Sequence, residues 1–155
     1  MGSSVRCTLM SRESARYGDQ VERVLAASAV ITDDHGRVLL VLRGNEPEKG
    51  RWSIPGGTAE GGESLPQTAA REAFEETGLH VRVGRELWTV EIPTADGRLY
   101  EVHDFAATVT YGMLIPGDDA DDVRWFSPAQ LDQVPLTHDL RGYPTRAGVI
   151  PAVAG

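Results

Sequence analysis

The chain has one cysteine, Cys7, in 155 residues. That excludes an internal disulfide framework and fits a reducing compartment. Long apolar runs are missing too: no stretch approaches the ~20 residues that a membrane helix needs. The first residues lack the apolar core of a secretion signal, so the expectation is a soluble cytoplasmic protein with no membrane partner. Positive charge is scarce, with 15 Lys and Arg against 23 Asp and Glu and a net charge of −8. A sequence-independent grip on a nucleic-acid polymer needs a basic surface, which this balance disfavours. The balance permits a phosphorylated small molecule delivered with a metal. No internal repeat is present. What remains, 41% hydrophobic and 25% charged residues, is the composition of one globular domain. Such a chain is long enough to bury about two-thirds of the surface it exposes when unfolded.

The stretch Gly56–Leu79, GGTAEGGESLPQTAAREAFEETGL, organises the rest. Ser64 is a good N-cap and Gln67 follows three residues later, a capping box with Pro66 tolerated in the first turn. Gly78 is suited to the left-handed conformation that closes a helix, so the spacing predicts a helix from about Leu65 to Thr77. At ~100° per residue, Ala70, Ala73, Phe74 and Thr77 fall on one face and Glu72, Glu75 and Glu76 on the other. Glu72 and Glu76 are like charges at i,i+4, which costs a few tenths of a kcal/mol. Arg71 is placed to orient Glu75, but one guanidinium does not neutralise three glutamates together with Glu60 and Glu63. Clustered hard oxygen ligands favour Mg²⁺ or Mn²⁺. A Glu-rich helical face taken alone is an ordinary solvated surface. The whole stretch argues otherwise.

Gly57, five residues, Glu63, seven residues, then Arg71-Glu72-Ala73-Phe74-Glu75-Glu76-Thr77-Gly78-Leu79 resembles the Nudix box at every specified position. The Trp52-Ser53-Ile54-Pro55-Gly56-Gly57 approach and the order of flanking strands extend the resemblance over roughly residues 22 to 135. The resemblance implies an α/β Nudix fold: an α/β/α sandwich with a mixed, curved sheet, the box helix on one side and a second helix on the other. It implies hydrolysis of a nucleoside diphosphate linked to another moiety. Metal ions would neutralise the phosphate oxygens and activate water, and a carboxylate would take the proton. By the same resemblance, Glu72, Glu75 and Glu76 hold Mg²⁺ or Mn²⁺ with the Gly56 carbonyl, and Arg71 orients the glutamates. Glu63 either helps at one remove or closes the loop. The general base is left between Glu72 and Asp119.

The flanks are read element by element. Residues 1–20 are polar and without period, which predicts a flexible leader before a domain spanning 21–141. Residues 142–155 read as a loosely packed tail. Val21–Thr32 and Arg37–Arg43 are rich in strand formers and predict a hairpin across Asp33-Asp34-His35-Gly36. Gly44–Gly50 is a loop by composition. In the family a basic residue near it meets substrate phosphate, so Arg43 and Arg51 are substrate-binding candidates alongside Gly57, with ordinary surface charge as the alternative. Trp52 reads as core packing before a base platform.

His80–Ile92 and Leu99–Tyr111 alternate as strands around Ala95-Asp96-Gly97. His103, on the face of Phe105, reads as a satisfied strand histidine. Pro93 lies fourteen residues beyond Leu79. It is either the proline that marks relatives resembling ADP-ribose pyrophosphatases or a residue that ends a strand. Gly117–Asp122, GDDADD, is an acidic loop before Val123-Arg124-Trp125-Phe126, and Asp119 is favoured there as a further carboxylate. Ser127-Pro128-Ala129-Gln130-Leu131 predicts a capped short helix.

Three functions stay open. The first is a nucleotide-sugar pyrophosphatase with ADP-ribose leading. The second is a pyrophosphohydrolase of damaged dNTPs. The third is a nucleotide sensor without turnover, against which the intact glutamate set argues. A homodimer is common in the family, and no apolar stripe in the sequence demonstrates it.

Overall fold

The computed structural model describes residues 21–137 and residue 140. The expected leader 1–20 and tail 142–155 lie outside the described residues. The elements are β1 (Glu22–Ile31), β2 (Val38–Arg43), β3 (Trp52–Ser53), β4 (Gly56–Thr58), α1 (Leu65–Thr77), β5 (Leu79–Pro93), β6 (Arg98–Gly112), β7 (Ala120–Phe126) and α2 (Pro128–Leu131). Among the described residues, no helix is long and apolar enough to cross a membrane.

The strands form a four-stranded sheet, β4-β1-β6-β5, and a three-stranded sheet, β3-β2-β7. The larger one is mixed: β1 runs parallel to β6 and antiparallel to β4, and β6 is antiparallel to β5. The expected hairpin is therefore corrected. The turn forms, with Asp33 accepting the backbone N–H groups of His35 and Arg37, but only Thr32 and Val38 bridge across it. Each of the two strands is central in its own sheet, so the backbone groups on both edges already have partners and neither edge is left for the other.

Two apolar clusters hold the layers. One joins Ala27, Ala29 and Ile31 of β1 to Ala69 and Ala73 of α1, Leu79 of β5, Phe105 and Ala107 of β6, and Leu39. The alternate residues of β1 face the other way, where Val30 packs with Val38, Leu40, Trp52, Phe126 and Leu140. Ile31, Leu39 and Leu40 are fully buried, each worth about 1.5–3 kcal/mol over an exposed position. Alanine on both β1 and α1 lets the helix lie close to the sheet.

Helix α1 starts at the Ser64–Gln67 capping box and ends at Gly78, whose φ of 80° is left-handed. Its buried face is Thr68, Ala69, Ala73 and Thr77, not the expected face containing Phe74. Phe74 is 46% exposed, because contact at this short distance admits only a narrow stripe of small residues. On the opposite side of the large sheet, the described residues provide the small sheet and the expected short helix α2, capped by Ser127.

Candidate active site

The glutamates of α1 do not share one direction. Glu72 and Glu76, a turn apart, lean over β4 and line a cleft with Arg43, Gly44, Asn45, Gly56, Gly57, Thr58 and Asp119. Glu75 lies outside this lining, 54% exposed along its side chain, with its carboxylate 3.2 Å from Arg71. Arg71 is the hub of the acidic group. It donates to Glu63 at 2.6 Å, to Glu72 at 2.9 Å, to Glu75, and to the Thr58 carbonyl at 3.1 Å. Glu63 also accepts from the Thr68 hydroxyl and the Glu60 backbone N–H. It thus ties the loop to the helix while bonding Arg71. The guanidinium of Arg71, followed by those two donors, holds the Glu63 carboxyl down to about 2.

Glycine at two positions is a steric requirement of the site. A Cβ on Gly56 would stand 2.2 Å from the Ser28 hydroxyl, and one on Gly57 would stand 2.5 Å from the Glu72 carboxyl carbon. The bare backbone lets both carboxylates approach, and the Gly56 N–H donates to Glu76. Burial, and then the neighbouring Glu72 carboxylate, push the Glu76 carboxyl well above the usual carboxylate range, against the pull of Arg43. Two carboxyl groups in contact in a buried cleft call for positive charge beside them.

That deficit is what a divalent cation supplies, so the donors fit Mg²⁺ or Mn²⁺. No three acidic, histidine or cysteine groups among the described residues converge as a closed chelate. Mg²⁺ characteristically keeps several waters and takes substrate phosphate oxygens beside one or two carboxylates.

The acidic loop is sorted by its contacts. Asp119 lines the cleft, its carboxylate 3.3 Å from the Asn45 amide and its carbonyl accepting from the Gly44 N–H at 3.2 Å. Asp121 packs against Gly44, and Asp122 bonds Val123 and Arg124. Arg43 faces the cleft, with its Nε 2.7 Å from the Pro47 carbonyl. The structure does not bring Arg51 there: it donates to the Leu136 carbonyl at 3.1 Å. No strand pattern shows in advance which way a loop-flanking arginine will turn.

A second cavity of about 660 Å³ shares Arg43, Ser53, Ile54, Gly56, Gly57 and Thr58 with the cleft. Its remaining walls include Ile92, Thr94, Arg98, Tyr100, Val102 and the buried Asp104. Sequence reasoning missed most of this set. The alternation of Tyr100, Val102 and Asp104 on β6 was its signal, but the sequence did not say what the face bordered. Trp52, weighed in the sequence as a base platform, is core, as is Phe105, whereas Tyr100 lines the cavity. Trp52 meets Phe126 edge-on at 4.8 Å. Pro93 ends β5 opposite Leu99, and its neighbours Ile92 and Thr94 line the cavity.

A helix delivering two carboxylates over the glycines of a short strand, beside a cavity of about 660 Å³, is an arrangement suited to a phosphoanhydride-cleaving α/β enzyme. Residues 22–151 match the NUDIX domain, and the chain belongs to the Nudix family of pyrophosphate-cleaving hydrolases, whose members generally use divalent ions. It is similar to an ADP-ribose pyrophosphatase of Methanocaldococcus jannaschii, 31% identical over 84% of this chain and 78% of that protein. It is also 35% identical to an 8-oxo-(d)GTP phosphatase of Mycolicibacterium smegmatis over 70% of this chain, spanning 34% of that longer protein. Among solved structures, the NUDIX domain of Shewanella oneidensis NrtR complexed with ADP ribose superposes with a TM-score of 0.64. That match has 26% identity and covers 96% of both chains.

Proposed function

We propose that the chain hydrolyses the pyrophosphate of a nucleoside diphosphate linked to a second moiety, a nucleotide sugar such as ADP-ribose. The observation that carries this is the adjacency of the two cavities: the cleft lined by Glu72, Glu76 and Asp119 shares Arg43, Ser53, Ile54, Gly56, Gly57 and Thr58 with a larger cavity that Ile92, Tyr100 and Val102 also line. A substrate with a charged pyrophosphate centre and a bulky nucleoside on one side has that shape. The ADP-ribose named in the archaeal relative and in the Shewanella complex supports the choice.

In this reading Glu72 and Glu76, which face the cleft, hold Mg²⁺ or Mn²⁺ with the Gly56 carbonyl, and Glu75, the third ligand that the resemblance implies, lies outside the cleft lining and bonds Arg71. The bound ion supplies positive charge to the phosphate oxygens and lowers the pKa of water. Arg71 fixes the carboxylates through its bonds to Glu63, Glu72 and Glu75. Arg43 meets phosphate oxygens from the cleft wall, and Gly57 leaves room for them. Either Glu72 or Asp119 takes the proton from the attacking water. The single cysteine supports a cytoplasmic setting, and the charge of −8 supports a small-molecule substrate over a polymer.

A second reading, a nucleoside triphosphate cleaved to its monophosphate, rests on the name of the mycobacterial relative. Products separate the two. Nucleotide sugars, dinucleoside polyphosphates and dNTPs are incubated with Mg²⁺ and then Mn²⁺, and phosphate release is followed through a coupled phosphatase. AMP with ribose 5-phosphate from ADP-ribose is the expected result. Preference for a modified dNTP, yielding pyrophosphate, would favour the second reading, and no turnover with either ion would sink both.

A further inference from the structure

The cavity of about 660 Å³ carries a polar pair on its sheet wall that the catalytic reading does not use. Asp104 of β6 and Ser28 of β1 both line it, 4% and 7% exposed. They are register partners on two adjacent parallel strands, so they stand one strand spacing apart, ~4.8 Å, on the same face. Ser28 also pairs with Gly56 of β4, and its hydroxyl lies so close that a Cβ on Gly56 would stand 2.2 Å from it. Gly56, Ser28 and Asp104 therefore form a row across the sheet. The row begins at the acidic cleft, where the Gly56 N–H meets Glu76. It ends at Asp104, two strand spacings or ~10 Å away. The next pair along the same two strands, Ala26 and Val102, is apolar and lines the cavity as well.

We propose that Asp104 selects the base of the nucleotide, accepting a hydrogen bond from the 6-amino group of an adenine while Ser28 donates to the ring nitrogen beside it. This rests on the hydrolase reading above, which sets the pyrophosphate at the cleft. From there a ribose and a base reach along the row toward Asp104. A carboxylate only accepts, whereas a hydroxyl both donates and accepts. The pair thus sets an acceptor next to a donor, the complement of the amino group and ring nitrogen on the edge of adenine.

In the same seat a 6-oxo purine turns a carbonyl oxygen toward the carboxylate, acceptor against acceptor. The base is tethered through its ribose to the cleft, so it does not slide to a better register, and Ala26 and Val102 offer it no side-chain partner. A polar atom left facing the wrong partner in a buried site loses its bond to water without replacement.

ADP-ribose and IDP-ribose, which differ at the 6-position of the purine, test this with the full chain and Mg²⁺. Where the two are cleaved, kcat/KM is compared; where they are bound without cleavage, the calorimetric Kd is compared. The wild type should favour ADP-ribose about 10-fold or more. Asp104→Asn keeps the shape of the side chain, and its amide donates to an oxo group as readily as it accepts from an amino group. The preference should disappear in it through a gain for IDP-ribose, which a merely destabilised protein does not show. Asp104→Ala, a second variant should the amide not fold by circular dichroism, should lose the preference through a loss for ADP-ribose. A wild type that treats the two alike, or favours IDP-ribose, overturns the proposal, and the hydrolase reading stands if both are cleaved. A preference that survives in both variants overturns it too, because another residue then reads the base. Binding without cleavage, with a preference that the variants lose, upholds the assignment of Asp104 and sinks the hydrolase reading. Failure to bind either ligand sinks both.

Discussion

At the scale of single residues, the site balances one guanidinium against a ring of carboxylates. Arg71 touches Glu63, Glu72 and Glu75, so Arg71→Ala should release all three. The expected outcome is a loss of roughly 10–100-fold in activity or metal affinity. The Glu63 carboxyl should also titrate above its wild-type value of about 2, but short of the ordinary 4.5, because the Glu60 N–H and the Thr68 hydroxyl still donate to it; NMR titration reads this directly. The sign follows: a depressed carboxylate contributes stability above its unfolded pKa and loses it as pH falls toward the folded one. The wild type therefore keeps this contribution at neutral pH and loses it between about 4.5 and 2. Glu76→Gln leaves the caps and the small apolar stripe of α1 untouched, so it should fold normally and abolish metal-dependent hydrolysis. Near wild-type turnover in that variant would remove Glu76 from the site.

At the scale of elements, the segment after β6 links the helix end to the cleft. A Cβ on Gly117 would stand 2.0 Å from the Glu75 carbonyl oxygen, and the Gly117 N–H caps Glu76 at 3.0 Å. Gly117→Ala must push the segment away, and with it Asp119 two residues on. A stability loss of about 1–3 kcal/mol is expected, together with a fall in kcat larger than any rise in KM. An unchanged kcat in a destabilised variant would show that the placement of Asp119 does not govern the rate. Helix α1 itself was readable because caps are local: Ser64, Gln67 and Gly78 sit where the backbone needs them. Its buried face was not readable, because which stripe is covered depends on how closely the sheet approaches.

At the scale of the whole molecule, the outer face of the large sheet carries a polar network joining three strands. His103 contacts Glu86 at 2.8 Å and Glu101 at 2.7 Å, and Arg23 joins Glu101 to Glu91. Burial works to lower the His103 pKa, but the hydrogen bonds to Glu101 and Glu86 outweigh it and the value rises. A histidine raised in this way contributes stability that is fully present below its unfolded pKa and lost as pH climbs through the folded one. Urea unfolding of the wild type should therefore lose stability as pH rises above 6.5 through the raised pKa of His103, a loss that His103→Gln does not show. Equal pH profiles for the two proteins would show that the network is only decorative.

The chain's own order of residues determined the box helix and its ends, the acidic character of the cleft, the family and the class of chemistry. These depend on spacing along one segment, where caps, periodicity and a glycine turn act between near neighbours. Tertiary structure alone decided four things. It turned Arg51 toward the Leu136 carbonyl. It divided β1 and β2 between two sheets and set Tyr100 in the cavity while burying Phe105. It also brought Phe74 to the same exposed surface as Tyr111 and Met113. Each of these is settled by contacts between distant parts of the chain, where close packing and the pairing of strand edges, not local preference, choose which way a side chain points.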